Sequence, residues 1–370
     1  MHELIQTIVD LLIVGMAAIL IVFTVALIIL HIIMTSNDKR VERIKKRILR
    51  MLSAAQDLEY LREQIYGLLE TDDGVYSLRS IRGIRSNRGT IALSIVVEEV
   101  NQEKKDKLRG IIMRDSWYIE HMHKKLHSRS DERVGVFTKL IADLQVPGFE
   151  DDVYANLYRW KSKAETQEIS LLALFVCGCE EKLLSLFSDP GFPLILSFRQ
   201  VQELFTFYSG DHQELYRRLL GTDCDNYVIR ACIHGIGTEG CEELSPLVAP
   251  YLDSDNINLI IESVRTLGKL CYEPALERIR ELTSHQVWNV RSTAATALAA
   301  ISPETCYDDL LRCLCDREWW VRFHAAEALD SRPGHADLME DAASLGDRFA
   351  LDMMRYIRER SMILGKGVPA

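Results

Sequence analysis

One pattern recurs four times at a fixed spacing of 31 residues: from Val228, Leu259, Val290 and Val321. The fifth place is small in every copy: Cys232, Ser263, Ala294 and Ala325. The ninth is aliphatic in every copy: Ile236, Leu267, Leu298 and Leu329. A fixed period in this range marks a stacked array, in which no unit buries its apolar face alone. A pair of antiparallel helices fits this length. The small residue allows close approach of neighbouring helices, and the aliphatic residues fill the groove between them. Second helices are expected over Cys241–Leu252, Tyr272–Leu282 and Cys306–Leu314. Breakers separate the copies at Asp253–Ser254–Asp255, Ser302–Pro303 and Arg332–Pro333–Gly334.

Two copies carry a more specific signature. Trp288–Asn289–Val290–Arg291 leads into Ala294–Ala295 and Ala297–Leu298, and Trp319–Trp320–Val321–Arg322 leads into Ala325–Ala326 and Ala328–Leu329. These stretches resemble the HEAT-repeat family. The resemblance implies an all-α fold, a HEAT-like α-solenoid of stacked helix pairs used as a protein-binding scaffold, and it implies no reaction. In that family the repeat arginine bonds to an acidic turn residue, and Asp316 is the candidate partner here. The two upstream copies depart from the pattern, with Ile229 and Ile260 at the arginine position. The resemblance is strong over 225–335 and weaker over 100–225, where Arg133–Leu144 and Glu165–Phe175 read as degenerate repeats. It does not reach 1–95.

A second constraint lies at the other end. Leu11–Met34 is 24 residues without a charged side chain, roughly 36 Å of helix against a bilayer core of about 30 Å. Glu3 and Asp10 precede it, and Lys39, Arg40, Arg43, Lys45, Lys46, Arg47 and Arg50 follow. By the positive-inside rule this order predicts a single-pass anchor in the plasma (bacterial inner) membrane, amino terminus outside and solenoid cytoplasmic. Contact with membrane lipid is then expected through residues 11–50, with Lys45, Lys46 and Arg47 among the groups facing anionic headgroups. The expected organisation is a tail over 1–10, a membrane helix over 11–34, a basic helix and Arg-rich loop over 35–95, degenerate repeats over 96–224, the regular array over 225–360, and a tail over 361–370. Ile91–Val97 reads equally as a buried helical turn or a strand.

Charge narrows the partners. The formal net charge is −10, and residues 51–370 hold −13 of it, because 35–50 are basic. An acidic body lacks the clustered basic face that nucleic acid requires, so no nucleic-acid partner is expected. The nine cysteines suggest no disulfide framework and read as small buried hydrophobes in a reducing compartment.

No phosphate-binding glycine loop, zinc-protease helix or serine nucleophile elbow is present. Cys177/Cys179 and Cys313/Cys315 are two apart, which on a helix points them in different directions and favours packing over metal. His121, His123 and His127, beside Lys124 and Lys125, read as a solvated basic face, and His234, His285 and His324 as packing residues. No catalytic, metal or cofactor-binding residue is expected, and no cofactor. Two groups remain as binding candidates. Trp288, Trp319 and Trp320, with Arg291 and Arg322, are candidates for a protein partner. Adjacent residues on a helix cannot face one core, so one of Trp319 and Trp320 either reaches the surface as a binding hot spot or packs between repeats. Arg79, Arg82, Arg85 and Arg88 stand three apart, which in an extended loop aims all four the same way, toward anionic lipid, a phosphorylated ligand or an acidic partner, the plainer alternative being a solvated loop that binds nothing.

These features favour a non-enzymatic, membrane-anchored scaffold whose repeat surface holds a membrane-associated protein, such as an envelope or polysaccharide-synthesis enzyme by analogy with bacterial membrane-tethered HEAT proteins. The alternatives are a sensor acting through the Arg79–Arg88 loop and a HEAT-like lyase-type enzyme.

Overall fold

The computed structural model describes residues 34, 38–53, 86–331 and 338–363. The tail over 1–10, the apolar segment up to residue 33, the Arg-rich stretch through Arg85, the turn at 332–334 and the end from 364 lie outside the described residues. Among those described, every regular element is helical, and none is long and apolar enough to cross a membrane. The expectation of a single-pass inner-membrane protein is corrected on that finding. The sequence stretch that prompted it falls outside the described residues.

The chain forms two compact units, 1–173 and 174–370. In the first, helix α1 spans residues 38–53 and buries Ile44, Ile48, Met51 and Leu52. Helices α2 (Asn87–Glu99), α3 (Gln102–Arg114), α4 (Ser116–Leu126), α5 (Asp131–Leu144) and α6 (Glu150–Arg159) follow, and the unit ends within α7 (Ala164–Val176). The ambiguous Ile91–Val97 stretch is helix: Ala92, Leu93, Val96 and Val97 are fully buried, the 3.6-residue spacing of one helix face. Its start is fixed by Ser86, whose side chain accepts from the Gly89 amide. Asn101, Asp115 and Ser130 cap α3, α4 and α5 in the same way.

The second unit holds the repeats. After α8 (Glu180–Phe187), α9 (Phe198–Thr206) and α10 (His212–Leu220), long helices alternate with short ones. The long ones are α11 (Asn226–Glu239), α13 (Ile257–Lys269), α15 (Trp288–Ile301), α17 (Trp319–Asp330) and α19 (Arg348–Ile363). Between them lie α12 (Ser245–Val248), α14 (Leu276–Leu282), α16 (Tyr307–Leu314) and α18 (Leu338–Ser344). Each long helix packs on the next, so the long helices form one layer and the short ones run beside it.

The register read from the repeat holds in three dimensions. Cys232, Ser263, Ala294 and Ala325 are fully buried, as are Ile236, Leu267, Leu298 and Leu329. The closest helix approach is at the tenth place. A Cβ on Gly268 would sit 2.7 Å from the Ala297 Cβ and 2.9 Å from its Cα. One on Gly237 would meet the Thr266 hydroxyl at 2.7 Å. Both glycines have ordinary helical backbone, so their role is space. The expected helix over Cys241–Leu252 is broken into a 3-10 turn (Glu242–Leu244), α12 and a second 3-10 turn (Ala249–Asp253). Pro246 stands in the first turn of α12, where an amide is dispensable, and Pro250 follows it, where no amide can continue the ladder.

Candidate functional site

On the long helices, places 0, 7 and 11 of the repeat, with Val228 as place 1, are buried in no copy and form one stripe that faces away from the core. This stripe changes character along the array.

At α11 and α13 it is basic. Glu262 is only 1% exposed, yet its carboxylate meets two arginines and a histidine. Arg230 Nε donates at 3.2 Å, His234 Nδ1 lies at 3.0 Å and Arg265 Nη1 donates at 3.1 Å. The Arg230 guanidinium also stacks 3.8 Å from the Phe198 ring centroid. Burial alone would raise the Glu262 pKa. The His234 hydrogen bond and the charges of Arg265, His234 and Arg230 outweigh it and hold the group below its usual value. Arg265 and Lys269 extend the basic stripe into solvent.

At α15 the stripe is low and uncharged: Asn289, Thr296 and Ala300, with Thr293 at its edge. The Thr293 hydroxyl donates to the Asn289 carbonyl at 2.8 Å and that of Thr296 to Ser292 at 3.2 Å. With both hydroxyls turned to the helix backbone, what remains for a ligand is methyl surface.

At α17 and α19 the stripe is aromatic. Trp319 stacks on Phe323, centroids 4.9 Å apart and planes at 18°, and meets Trp320 edge-on at 4.8 Å. Trp320 stacks over His324 at 6.0 Å. Tyr356 closes the cluster from α19, 6.4 Å from Trp319 and 6.5 Å from Phe323. The Arg360 guanidinium lies 5.2 Å from the Phe323 ring and bonds Glu327 at 2.6 Å. Such ring pairs prefer the stacked and edge-on geometries found here.

The sequence-selected residues separate into two groups. Trp288, Trp319 and Trp320 are 37%, 41% and 49% exposed. The expectation that one member of the Trp319–Trp320 pair is core is corrected: both are exposed, because Phe323 one turn on takes the buried position. Arg291 is buried, and it holds Asp316 through two bonds, Nε at 2.7 Å and Nη2 at 2.9 Å. Its Nη1 donates to the carbonyls of His285 and Gln286. This is the arginine–aspartate clamp that the resemblance implied, and it fastens one repeat turn to the next. Its depth removes Arg291 from the surface. Asp316, which burial would push up, is held low by the Arg291 bonds and the Glu318 amide. Arg322 bonds the Asp316 carbonyl at 2.6 Å and lies 5.4 Å from the Phe349 ring.

In the first unit Lys45 pairs with Glu99 at 2.6 Å, Lys46 reaches Glu42 at 4.0 Å, and Arg47 is exposed. Arg79, Arg82 and Arg85 lie outside the described residues, and the Arg88 side chain with them. The backbone of Arg88 is in α2, so the extended spacing does not continue to it. His121 is buried among Tyr118 and Phe137 rather than on a solvated face, while His123 and His127 share Asp152 at 2.5 and 3.2 Å. Among the described residues no group of three or more His, Cys, Asp or Glu could hold a metal ion.

Sequence reasoning missed Arg230, Glu262, Arg265, Phe323 and Tyr356. One signal was available for Glu262: an acid stands at the fourth repeat place, on the packed side of its helix, with basic residues at 230 and 265.

The family described as HEAT repeats matches residues 279–361. No curated protein matches the chain. Solved structures similar to it include an engineered protein, at 15% identity and TM-score 0.36, covering 73% of this chain and 84% of that one. The complex of CpcE and CpcF of phycocyanin lyase from Nostoc sp. PCC7120 matches at 12% identity and TM-score 0.28, covering 78% and 99%. Human deoxyhypusine hydroxylase in complex with glycerol matches at 19% and 0.24, covering 68% and 87%. With every TM-score below 0.5, these likenesses decide nothing about this chain. The family match coincides with the stretch where the clamp and the buried alanines stand.

Proposed function

We propose that the chain is a helical-repeat scaffold that binds a partner protein on the exposed stripe of its long helices and performs no chemistry of its own. HEAT repeats, as a class, mediate protein–protein interaction. The observation that carries the reading is the placement of exposed large apolar residues. Tyr227, Trp288, Trp319, Trp320, Phe349 and Tyr356 all stand on long helices, while the described short helices expose only Leu247. Contiguous exposed aromatics rimmed by charge mark interaction surfaces, and Trp and Tyr dominate binding hot spots. The chemistry of the stripe agrees, since Arg230 and Arg265 bond the buried carboxylate of Glu262 and Arg360 bonds Glu327, pairings that brace the helices.

The test is site-specific photocrosslinking in the native cell, with the photoreactive residue placed at Thr296 in one variant and at Glu277 in another. Recurrent capture of one protein from position 296, and little from 277, is expected. Capture of no protein from position 296 would overturn the proposal.

A further inference from the structure

The three zones of the stripe stand in a fixed order, and together they select the chemistry of the partner. We infer that this face takes an extended protein segment bearing a cluster of carboxylates at one end and an aromatic or large aliphatic anchor at the other. The inference rests on the scaffold reading and deepens it.

Charge carries the first half. Arg230 and Arg265 bond one buried carboxylate, Glu262, and Lys269 stands exposed one turn beyond Arg265, so three fixed cations meet one acid whatever the state of His234. This occurs in a chain of formal net charge −10. Arg265 makes one bond to Glu262 and its side chain stays 53% exposed, with donors left for a carboxylate. The aromatic zone carries the second half. Trp320 and Tyr356 are each 49% exposed, and their rings are held in place by Trp319, Phe323 and His324. A surface anchor held rigid before binding loses little entropy when a partner docks.

The middle zone sets the form of the ligand. The methyl surface of Thr293, Thr296 and Ala300 offers neither a charge nor a large side chain, so a backbone can pass over it. Packed helices lie about 8–10 Å apart, which puts α17 roughly 16–20 Å from α13. Arg265 and Lys269 stand seven and eleven places further along their helix than Trp320 does along its own, roughly 10–16 Å at 1.5 Å per residue, so at about 3.3 Å per extended residue the acidic cluster and the anchor are separated by roughly six to eight residues.

The experiment selects from a phage-displayed library of random 16-residue peptides on the full chain. Synthetic copies of the enriched peptides are then titrated by fluorescence anisotropy. Enrichment of Asp and Glu roughly six to eight residues from an aromatic or Leu is expected. Affinity should fall at least tenfold on the double variant R265E/K269E, whose circular dichroism spectrum is unchanged while its urea midpoint drops because Arg265 also bonds Glu262, and again on W320A/Y356A, with both spectrum and midpoint unchanged. Replacing the peptide's acids by Lys should restore affinity for R265E/K269E. Enrichment of basic peptides, or indifference to R265E/K269E, overturns the inference. If W320A/Y356A still abolishes binding in that case, the scaffold reading survives without it. Peptides lost only on E277K/E281K, in the short helices, overturn both. Concentration-dependent self-association that disappears in R265E/K269E would assign the face to a second copy and overturn the acidic-segment inference.

Discussion

The long and short helices of the second unit come from the same repeat, yet their exposed surfaces are opposites. None of α11, α13, α15, α17 and α19 has an acidic residue in its first turn. The short row has them throughout: Glu242 and Glu243 before α12, Glu273 and Glu277 at α14, Asp308 and Asp309 at α16, Glu340 and Asp341 at α18. Carboxylates at an amino-terminal turn satisfy the helix dipole and bind water strongly. The short row is thereby finished as a solvent surface. The long row spends its buried places on stacking and leaves its outer stripe basic at one end and aromatic at the other. What the difference teaches is that the packed and exposed faces of one long helix carry different chemistry, which leaves the exposed face available for the proposed partner.

The comparison breaks first at the clamp. Arg291→Met leaves the Asp316 carboxylate without its two bonds in a largely dry turn, at a cost of about 3 kcal/mol. A urea titration of the full chain should show that loss as a lower midpoint. A midpoint within error of wild type would mean that the clamp does not fasten the repeats.

Next is the close approach of long helices. Gly268→Ala gains helix propensity of roughly 1 kcal/mol, but its Cβ overlaps Ala297, and overpacking costs about 1–3 kcal/mol. Net destabilisation of about 1 kcal/mol is expected in the same titration, where a stabilised variant would show the helices free to shift apart.

The carboxylates that join the long row give a pH dependence of known sign. Glu262 and Asp316 are both depressed in the folded state. The stability they contribute is present above the ordinary carboxylate pKa, about 4, and is lost as pH falls through their lower folded values. Unfolding followed between pH 7 and 2.5 should show this contribution constant down to about pH 5 and declining below. Its decline should be absent in a Glu262→Gln, Asp316→Asn variant, itself weaker at neutral pH.

The smallest effects sharpen the division between stacking and recognition. Asp308→Asn removes one dipole partner from α16, worth about 0.3–1 kcal/mol, and should leave partner capture intact. Trp320→Ala should change stability by less than about 0.5 kcal/mol, as for an exposed position, and yet reduce partner capture severalfold. A Trp320→Ala chain that unfolds early would instead make the aromatic cluster a packing device.

Much of the fold was legible because stacking imposes a strict register. A place that must be small in every copy is visible in one sequence; Asp316 came from the resemblance as a partner for a repeat arginine, but that Arg291 rather than Arg322 takes its carboxylate needed the packed turn. The helix at 87–99 was not legible, since a short apolar run with β-branched residues suits helix and strand alike until its neighbours bury one face. The binding stripe was less legible still. Trp319 and Trp320 stood out, but their exposure depends on Phe323 filling the site beneath them. Tyr356 joins them only through the packing of α19 on α17. Glu262 was hidden by its place in an apolar stripe, where only the cations of two helices make an acid tolerable. The membrane expectation came from a stretch outside the described residues, and no described helix supports it.

The most direct measurement is hydroxyl-radical footprinting of the full chain with and without the protein captured at position 296. Trp288, Trp319, Trp320 and Tyr356 should lose oxidation when the partner is bound, while Leu247 and Tyr307 on the short-helix side keep theirs. Unchanged oxidation at the four aromatics, with protection at Leu247, would place the partner on the short helices and contradict the division between a recognising layer and a solvated one.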